Sequence, residues 1–322
     1  MRAVWVGGVL AVTVAAFLVT AQTPQNRPVE LHTLHVQGNI YMITGDGGNV
    51  TVQTGSDGIL LVDSGLAANA DLLIAEVRKI SKGPIRYLIN THVHPDHVGG
   101  NEKIFAAGST ITGGNVTGDI GDAGVGTTII AHEAVLNRMS APTGTQSPFP
   151  QRAWPNDTYF TKEKKLFFNG EAIEIVHIPA AHTDGDSLVF FRRSDVISAG
   201  DLYVTTSYPI VDLARGGNIQ GILDAMNRMI DICEPADKQE GGTYVISGHG
   251  RVADQADLVE YRDMITIIRD RIADGVKKGL TLEQVKAAKP TLDYDAVYSK
   301  PGAFWTADQF IDAVYKSLSA KK

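Results

Sequence analysis

Four side chains able to bind a metal ion fall within six residues in the run Thr91-His92-Val93-His94-Pro95-Asp96-His97. Imidazole and carboxylate groups at this density are the donor set of zinc-like ions. In extended backbone alternate side chains point to the same side, so His92 and His94 can reach one ion. The turn begun by Pro95 then aims Asp96 and His97 elsewhere, which suits two adjacent metals better than one. The run follows the apolar segment Ile85 to Asn90, at the carboxyl end of a strand, where α/β folds place their sites. A polar surface turn that is His-rich by chance is the alternative, and the clustering argues against it.

The rest of the chain must bring partners to this loop. Short β-rich runs at Leu31 to Gln37, Ile40 to Thr44, Asn49 to Thr54 and Ile59 to Asp63 are separated by Gly45-Asp46-Gly47-Gly48 and Ser56-Asp57-Gly58, which predicts an antiparallel opening. Apolar residues at Leu72, Leu73, Ile74, Val77 and Ile80 recur with a helical period over Ala68 to Ile80, and the strand Ile85 to Asn90 follows. Strand, helix, strand implies layered α/β architecture. Gly108 to Gly126 and Ala141 to Pro155 read as long loops, the second carrying Phe149 and Trp154 among prolines as a candidate apolar flap over the metals. Further strands are expected at Ala172 to Ile178, Ser187 to Phe191, Val196 to Ala199 and Thr243 to Ser247, with a helix over Asn218 to Ile232. From Ala253 the pattern turns helical around Leu258 to Asp274, Leu282 to Ala288 and Ala307 to Leu318, and reads as an extension packed on the main domain.

With the His-X-His-X-Asp-His run on the page, further motifs fall in order: Asp63-Ser64-Gly65, Ala181-His182-Thr183-Asp184-Gly185-Asp186, Ser198-Ala199-Gly200-Asp201 and Ser247-Gly248-His249-Gly250. Over roughly Leu31 to Val252 the sequence resembles the metallo-β-lactamase superfamily. The resemblance implies a four-layer αββα sandwich, here with a C-terminal helical extension, and a dinuclear metal site. It places His92, His94 and His182 on the first metal, Asp96, His97 and His249 on the second, and Asp201 between both, with Asp63 supporting the metal loop without ligating. Three imidazoles and an open position are sound zinc chemistry in their own right. Two such ions lower the pKa of a shared water, hold it as hydroxide and polarise a substrate oxygen. Asp96 is then the group to orient the hydroxide and pass a proton to the leaving group. The remaining histidines, His32, His35, His132 and His177, stand alone beside apolar residues and are expected to be core or edge residues. Asp184 and Asp186 are expected to hydrogen-bond the loop that carries His182. Cys233 reads as a small buried hydrophobe.

Composition narrows the substrate. A formal charge of -7 gives no basic face for neutralising phosphates, so nucleic acid is not an expected partner. One cysteine excludes an intramolecular disulfide and a cysteine-rich cluster. Met1-Arg2, the apolar stretch from Ala3 to Val19 and the small residues before Gln22 read as a signal peptide over 1–21. A linker over 22–30, a catalytic domain over 31–252 and the helical extension over 253–322 follow. The mature protein is therefore expected to be periplasmic or secreted, with no stable membrane insertion after cleavage, and the sequence specifies no oligomeric state. Relatives that hydrolyse β-lactams carry cysteine or serine where Asp201 stands, so the resemblance is stronger to the glyoxalase II, lactonase and esterase branches. The expected activity is a dinuclear zinc hydrolase, with two Zn2+, acting on an ester, thioester, lactone or lactam of a small molecule. An iron-dependent sulfur dioxygenase of the same superfamily and a non-catalytic exported metal-binding protein are the competing readings. The first is separated from a hydrolase by iron content and oxygen consumption.

Overall fold

The computed structural model describes residues 29–110, 126–141, 149–238, 241–300 and 304–320. The expected signal peptide, most of the glycine-rich loop and residues 142–148 of the second loop lie outside them. The opening strands β1 (His32–Gln37), β2 (Ile40–Thr44), β3 (Val50–Gly55) and β4 (Gly58–Val62) pair antiparallel in succession, as the turn spacing predicts. Helix α1 (Ala70–Ile80) crosses to β5 (Ile85–Ile89), which runs parallel to β4. Helices α2 (Pro95–Val98) and α3 (Asn101–Ala107) lead on to β6 (Thr128–His132), α4 (Glu133–Ser140) and β7 (Asp157–Tyr159), with both strands added in parallel. Seven strands thus stand in sequence order in one sheet.

A second sheet has the order β13-β12-β11-β10-β9-β8. It comprises β8 (Glu163–Phe168), β9 (Glu171–His177), β10 (Ser187–Phe191) and β11 (Val196–Ser198), then, after helix α5 (Ile219–Ile232), β12 (Tyr244–Ile246) and β13 (Val252–Ala253). Only β11 and β12, the pair that α5 connects, are parallel, because a helical crossover is what brings a second strand in with the same direction. Four more helices close the chain: α6 (Gln255–Lys277), α7 (Leu282–Ala287), α8 (Asp295–Tyr298) and α9 (Ala307–Ser319).

Strand alternation sorts the apolar side chains into layers. Leu60, Val62 and Ile89 meet Ile173, Ile175, Val189 and Phe191 between the two sheets. Their neighbours Ile59, Leu61 and Leu88 face the other way, against Leu73 and Val77 of α1 and Ile104 of α3. On the far side Leu188, Ile197 and Val245 pack beneath Ile222 and Met226 of α5, Ile265 and Ile268 of α6, and Phe310 and Val314 of α9. The result is the four-layer αββα sandwich. Both faces of β4 are covered, so its Gly-Ile-Leu-Leu-Val run is apolar throughout instead of alternating. Each fully buried side chain of this kind contributes about 1.5–3 kcal/mol.

Helix α6 shares its apolar layer with α5, and β13 pairs with β12. The sequence division at 252/253 therefore falls inside a paired strand. Periodicity reports that a segment is helical and gives no information on which surface it covers. Among the described residues no helix is long and apolar enough to cross a membrane.

Candidate metal centre

All seven residues singled out as ligands come together at one end of the sandwich. They form two groups, His92 with His94, His182 and Asp201, and Asp96 with His97 and His249, and within each group one ligand atom per residue lies within 4.8 Å of the others. His92 and His94 come from the segment after β5, and Asp96 and His97 lie on the short helix α2, whose first residue is Pro95. Proline is at ease there because the first helical N–H has no intrahelical partner. His182 sits on the β9–β10 connection, Asp201 in a single 3-10 turn after β11, and His249 after β12.

Outer hydrogen bonds orient four of the five imidazoles. His94 donates Nε2–H to Asp212 Oδ2 at 2.9 Å, and His182 donates Nδ1–H to the Ile210 carbonyl at 2.6 Å. His97 donates Nδ1–H to Asp63 Oδ2 at 2.8 Å. Thr91 gives its hydroxyl proton to Asp63, 2.7 Å away, so its oxygen accepts from His92 Nδ1 at 3.0 Å. In every case the remaining nitrogen points inward. His94 Nδ1 and His182 Nε2 face each other at 2.9 Å, an arrangement of two acceptors that a cation between them would relieve. His92 Nε2 and Asp201 Oδ1 are buried without a hydrogen-bond partner among the described residues. Buried polar atoms left in this state are costly, so the donor set fits metal ions.

Asp201 divides its carboxylate between the groups. Its Oδ2 lies 3.9 Å from His92 Nε2 and 3.6 Å from His182 Nε2, while Oδ1 lies 3.2 Å from His97 Nε2 and 3.5 Å from His249 Nε2. Electrostatics follow the same division. Burial pushes His92 well below the usual imidazole range and His182 down to about 4, so both rings are neutral and ready to ligate. Burial also works against a charge on His97 and His249, but Asp201, with Asp63 for the one and Asp96 for the other, outweighs it. His97 is held well above its ordinary value and His249 is raised to about 9. Reciprocally, burial opposes the Asp201 carboxylate, yet His97 and His249 keep it well below the ordinary carboxylate range. The carboxylates that raise these two histidines would equally attract a cation to the second group.

The support around these ligands was only partly anticipated. Asp63 behaves as expected, accepting Thr91 N–H at 2.8 Å as well as Thr91 Oγ1 and His97 Nδ1. It does so from a left-handed backbone conformation, φ +65°, which costs a non-glycine residue on the order of 1 kcal/mol and which the three bonds offset. Asp186 holds the His182 loop through Thr183 N–H and Oγ1 at 2.7 and 2.6 Å. Asp184 instead turns outward to Arg138. Gly48 lies against the His97 ring, where an added Cβ would come within 2.6 Å of Nε2. Phe149 and Trp154 are not a flap: both pack against Val93, Val98 and Met139 behind the metal loop, with the indole N–H donated to the Phe149 carbonyl. Their place among apolar residues wins over any exposed role. His132 and His177 stack on each other, centroids 3.6 Å apart, and take no part in either group. Cys233 is buried, its thiol pushed up to about 12 by burial.

Asp212 is the functional residue that sequence reading missed. It belongs to no motif and no periodic segment, and only the tertiary structure places its carboxylate on His94. It also accepts Arg215 Nη1 at 2.7 Å and caps the turn over Leu213–Arg215. Removing a carboxylate that orients a metal-bound histidine typically costs 10–100-fold in metal affinity. Asp212→Ala is therefore expected to weaken zinc binding by about that factor in competition with a chelator. Asp212→Asn, which preserves the cap, is expected to lose less.

A cleft of about 1170 Å³ opens beside the two groups. His94, Asp96, Asp201 and His249 line it, together with the apolar residues Val204, Ile210, Val211 and Leu213. Phe304, Trp305 and residues of α9 also line it.

An αββα sandwich with two converging His/Asp groups at one end of its sheets is the architecture of a metal-binding catalytic fold. Residues 37–249 match the family model of the metallo-beta-lactamase superfamily, and the chain belongs to that superfamily. Among curated proteins it is 23% identical over 258 residues to a linear primary-alkylsulfatase of Pseudomonas sp. (strain ATCC 19151), covering 71% of this chain and 47% of that one. The solved structures it resembles include a stereoselective inverting sec-alkylsulfatase from Pseudomonas sp., with TM-score 0.61, 17% identity, and coverage of 89% of this chain and 50% of that one. A metallo-beta-lactamase from Pontibacter korlensis matches with TM-score 0.54 and 16% identity over 74% of this chain and 99% of that one. This chain spans about half the length of the alkylsulfatases it matches. At these identities the structural likeness speaks for the fold.

Proposed function

We propose that the protein is a dinuclear zinc hydrolase that cleaves an ester, thioester, lactone or lactam of a small molecule. The observation that carries this reading is the division of Asp201 between two groups whose histidines each turn a ring nitrogen inward. His92, His94 and His182 would hold one ion, and Asp96, His97 and His249 the other, with Asp201 shared. When bound, the two ions lower the pKa of a water and polarise the scissile carbonyl. The chain's own residues supply position and proton transfer. Asp96 keeps its carboxylate ionised: burial opposes the charge, but the hydrogen bond from His249 and the nearby His97 outweigh it. Its Oδ2 faces His249 at 3.2 Å, and its side chain borders the cleft, where the ionised carboxylate would take the proton released by the attacking water and then hand it to the leaving group.

The 1–21 segment directs export in this reading, so the enzyme works outside the cytoplasm. The test is the metal content of protein purified without added metal, followed by hydrolysis of a panel of acyl esters, thioesters, lactones, β-lactams and alkyl sulfates. About two zinc ions per chain and turnover of a carbonyl substrate support the proposal. Turnover of alkyl sulfate alone would move the substrate class to that named for the relatives. One iron per chain, with oxygen consumed in the presence of a persulfide, would replace it with sulfur oxidation.

A further inference from the structure

The candidate metal ligands supply only part of the cleft lining, and the carboxyl-terminal segment supplies another part. Phe304 and Trp305 precede α9, and Asp308, Gln309 and Ala313 on its first turns line the same space. Phe304 is 88% exposed, an aromatic ring left in water in the lining of a cleft that also carries Val204, Ile210, Val211 and Leu213. Trp305 is half-buried against the layer of α6 and α9, and its indole N–H is buried without an acceptor among the described residues. Apolar packing, not a polar anchor, therefore holds that ring in the wall. Away from the metal groups the lining carries four carboxylates, Asp46, Asp212, Asp308 and Asp312, against two cations, Arg215 and Lys286. Arg215 is paired with Asp212, and Lys286 lies 3.9 Å from Asp308. An anionic tail gains nothing from such a wall, whereas an uncharged apolar one covers surface that otherwise faces water.

We infer that Phe304 and Trp305 form an acyl- or alkyl-binding wall that selects substrates with a long or bulky uncharged apolar group next to the scissile bond. The inference rests on the hydrolytic reading for its substrate and on the cleft alone for its binding surface, and the experiment separates the two. Zinc-loaded protein is titrated with n-decanol, which has no scissile bond, while tryptophan emission is followed in wild type and in Trp305→Phe. Binding is measured by calorimetry in both and in Phe304→Ala. In parallel, kcat/KM is compared for decanoyl and acetyl esters of one alcohol. Decanol is expected to shift the emission in wild type but not in Trp305→Phe, which still binds it. Phe304→Ala and Trp305→Ala are expected to lower the decanoyl-to-acetyl ratio about tenfold, the scale of exposing a large apolar side chain. Leu292→Ala, an exposed apolar residue of the same region outside the cleft lining, is expected to leave that ratio unchanged. If no ester, thioester, lactone or lactam of the panel is cleaved but decanol binds as described, the hydrolytic reading falls and the apolar wall stands. Should decanol leave Trp305 emission and calorimetry unaffected, or a decanoyl-to-acetyl ratio stay level in both wall variants, the inference is overturned.

Discussion

Asp201→Asn is expected to reduce bound zinc from about two ions per chain to one or fewer, and to lower kcat/KM by roughly 10³-fold or more, the scale of losing several kcal/mol of metal-centred stabilisation. The substitution preserves shape and removes charge. Asparagine presents one carbonyl oxygen, so it can serve the side of His92 and His182 or the side of His97 and His249, while Asp201 faces both at 3.2 to 3.9 Å. The buried anion that balances the cationic groups is lost as well. In metal-free protein the depressed Asp201 carboxylate contributes stability at pH values above the ordinary carboxylate range, and this is lost as pH falls through its folded value. Asp201→Asn gives up that contribution at neutral pH, because His97 and His249 lose the partner that keeps them protonated. Elemental mass spectrometry and steady-state kinetics on the same preparation check the prediction. Two zinc ions and undiminished turnover in Asp201→Asn would show that the groups act independently, and the shared-carboxylate reading would fall.

The centre itself was legible in the sequence because its chemistry is local. Four ligands follow one strand within six residues, and the other three each close a short motif at a strand end, so the strands that carry them were legible from the same apolar runs. Elements missed from the chain lack such a signature. β8 is an edge strand with three charged residues in its first half, Glu163, Lys164 and Lys165, and only Phe168 buried; its pattern is that of a surface segment until β9 pairs with it. β6 is a five-residue run, Thr128–His132, directly behind the glycine-rich stretch that reads as a loop, and is too short to stand out from it. Asp212 stands 118 residues from the histidine it orients, and no spacing rule connects the two. The helical tail was legible as helix, but the use of its beginning as one wall of the cleft depends on how the tail folds back, which periodicity does not encode. Local chemistry identifies the ligands, and tertiary contact identifies what aims them.

Gly248→Ala tests whether the backbone itself is part of that aiming, and it is expected to disrupt the second group more than any surface change. A Cβ at this position would overlap Asp201 Oδ1 and come within 2.6 Å of the carbonyl carbon and oxygen of Gly200. The conflict is with backbone and with the shared carboxylate, so rotation of a flexible side chain cannot relieve it. Nor can the turn swing away freely, because Gly248 donates its N–H to the Tyr203 carbonyl at 2.9 Å and accepts Asn49 N–H at 2.8 Å. One of these bonds must break, or the Asp201 turn must shift, and either movement carries His249 away from Asp201. Overpacking of this kind costs about 1–3 kcal/mol, a fall of roughly 2–5 °C in Tm for a chain of this size. The metal consequence should be larger than the stability consequence: zinc at the His97 and His249 side is lost, while the three-histidine side keeps its ion. Gly83→Ala provides the comparison, since the nearest atom to its added Cβ is the terminal Oγ of Ser81 at 3.3 Å and the position is remote from the ligands. That variant is expected to keep both ions and to melt within about 2 °C of wild type, an ordinary surface effect. Full metal content and wild-type Tm in Gly248→Ala would mean that the turn relaxes without moving His249, and the close backbone approach would then have no role in the centre.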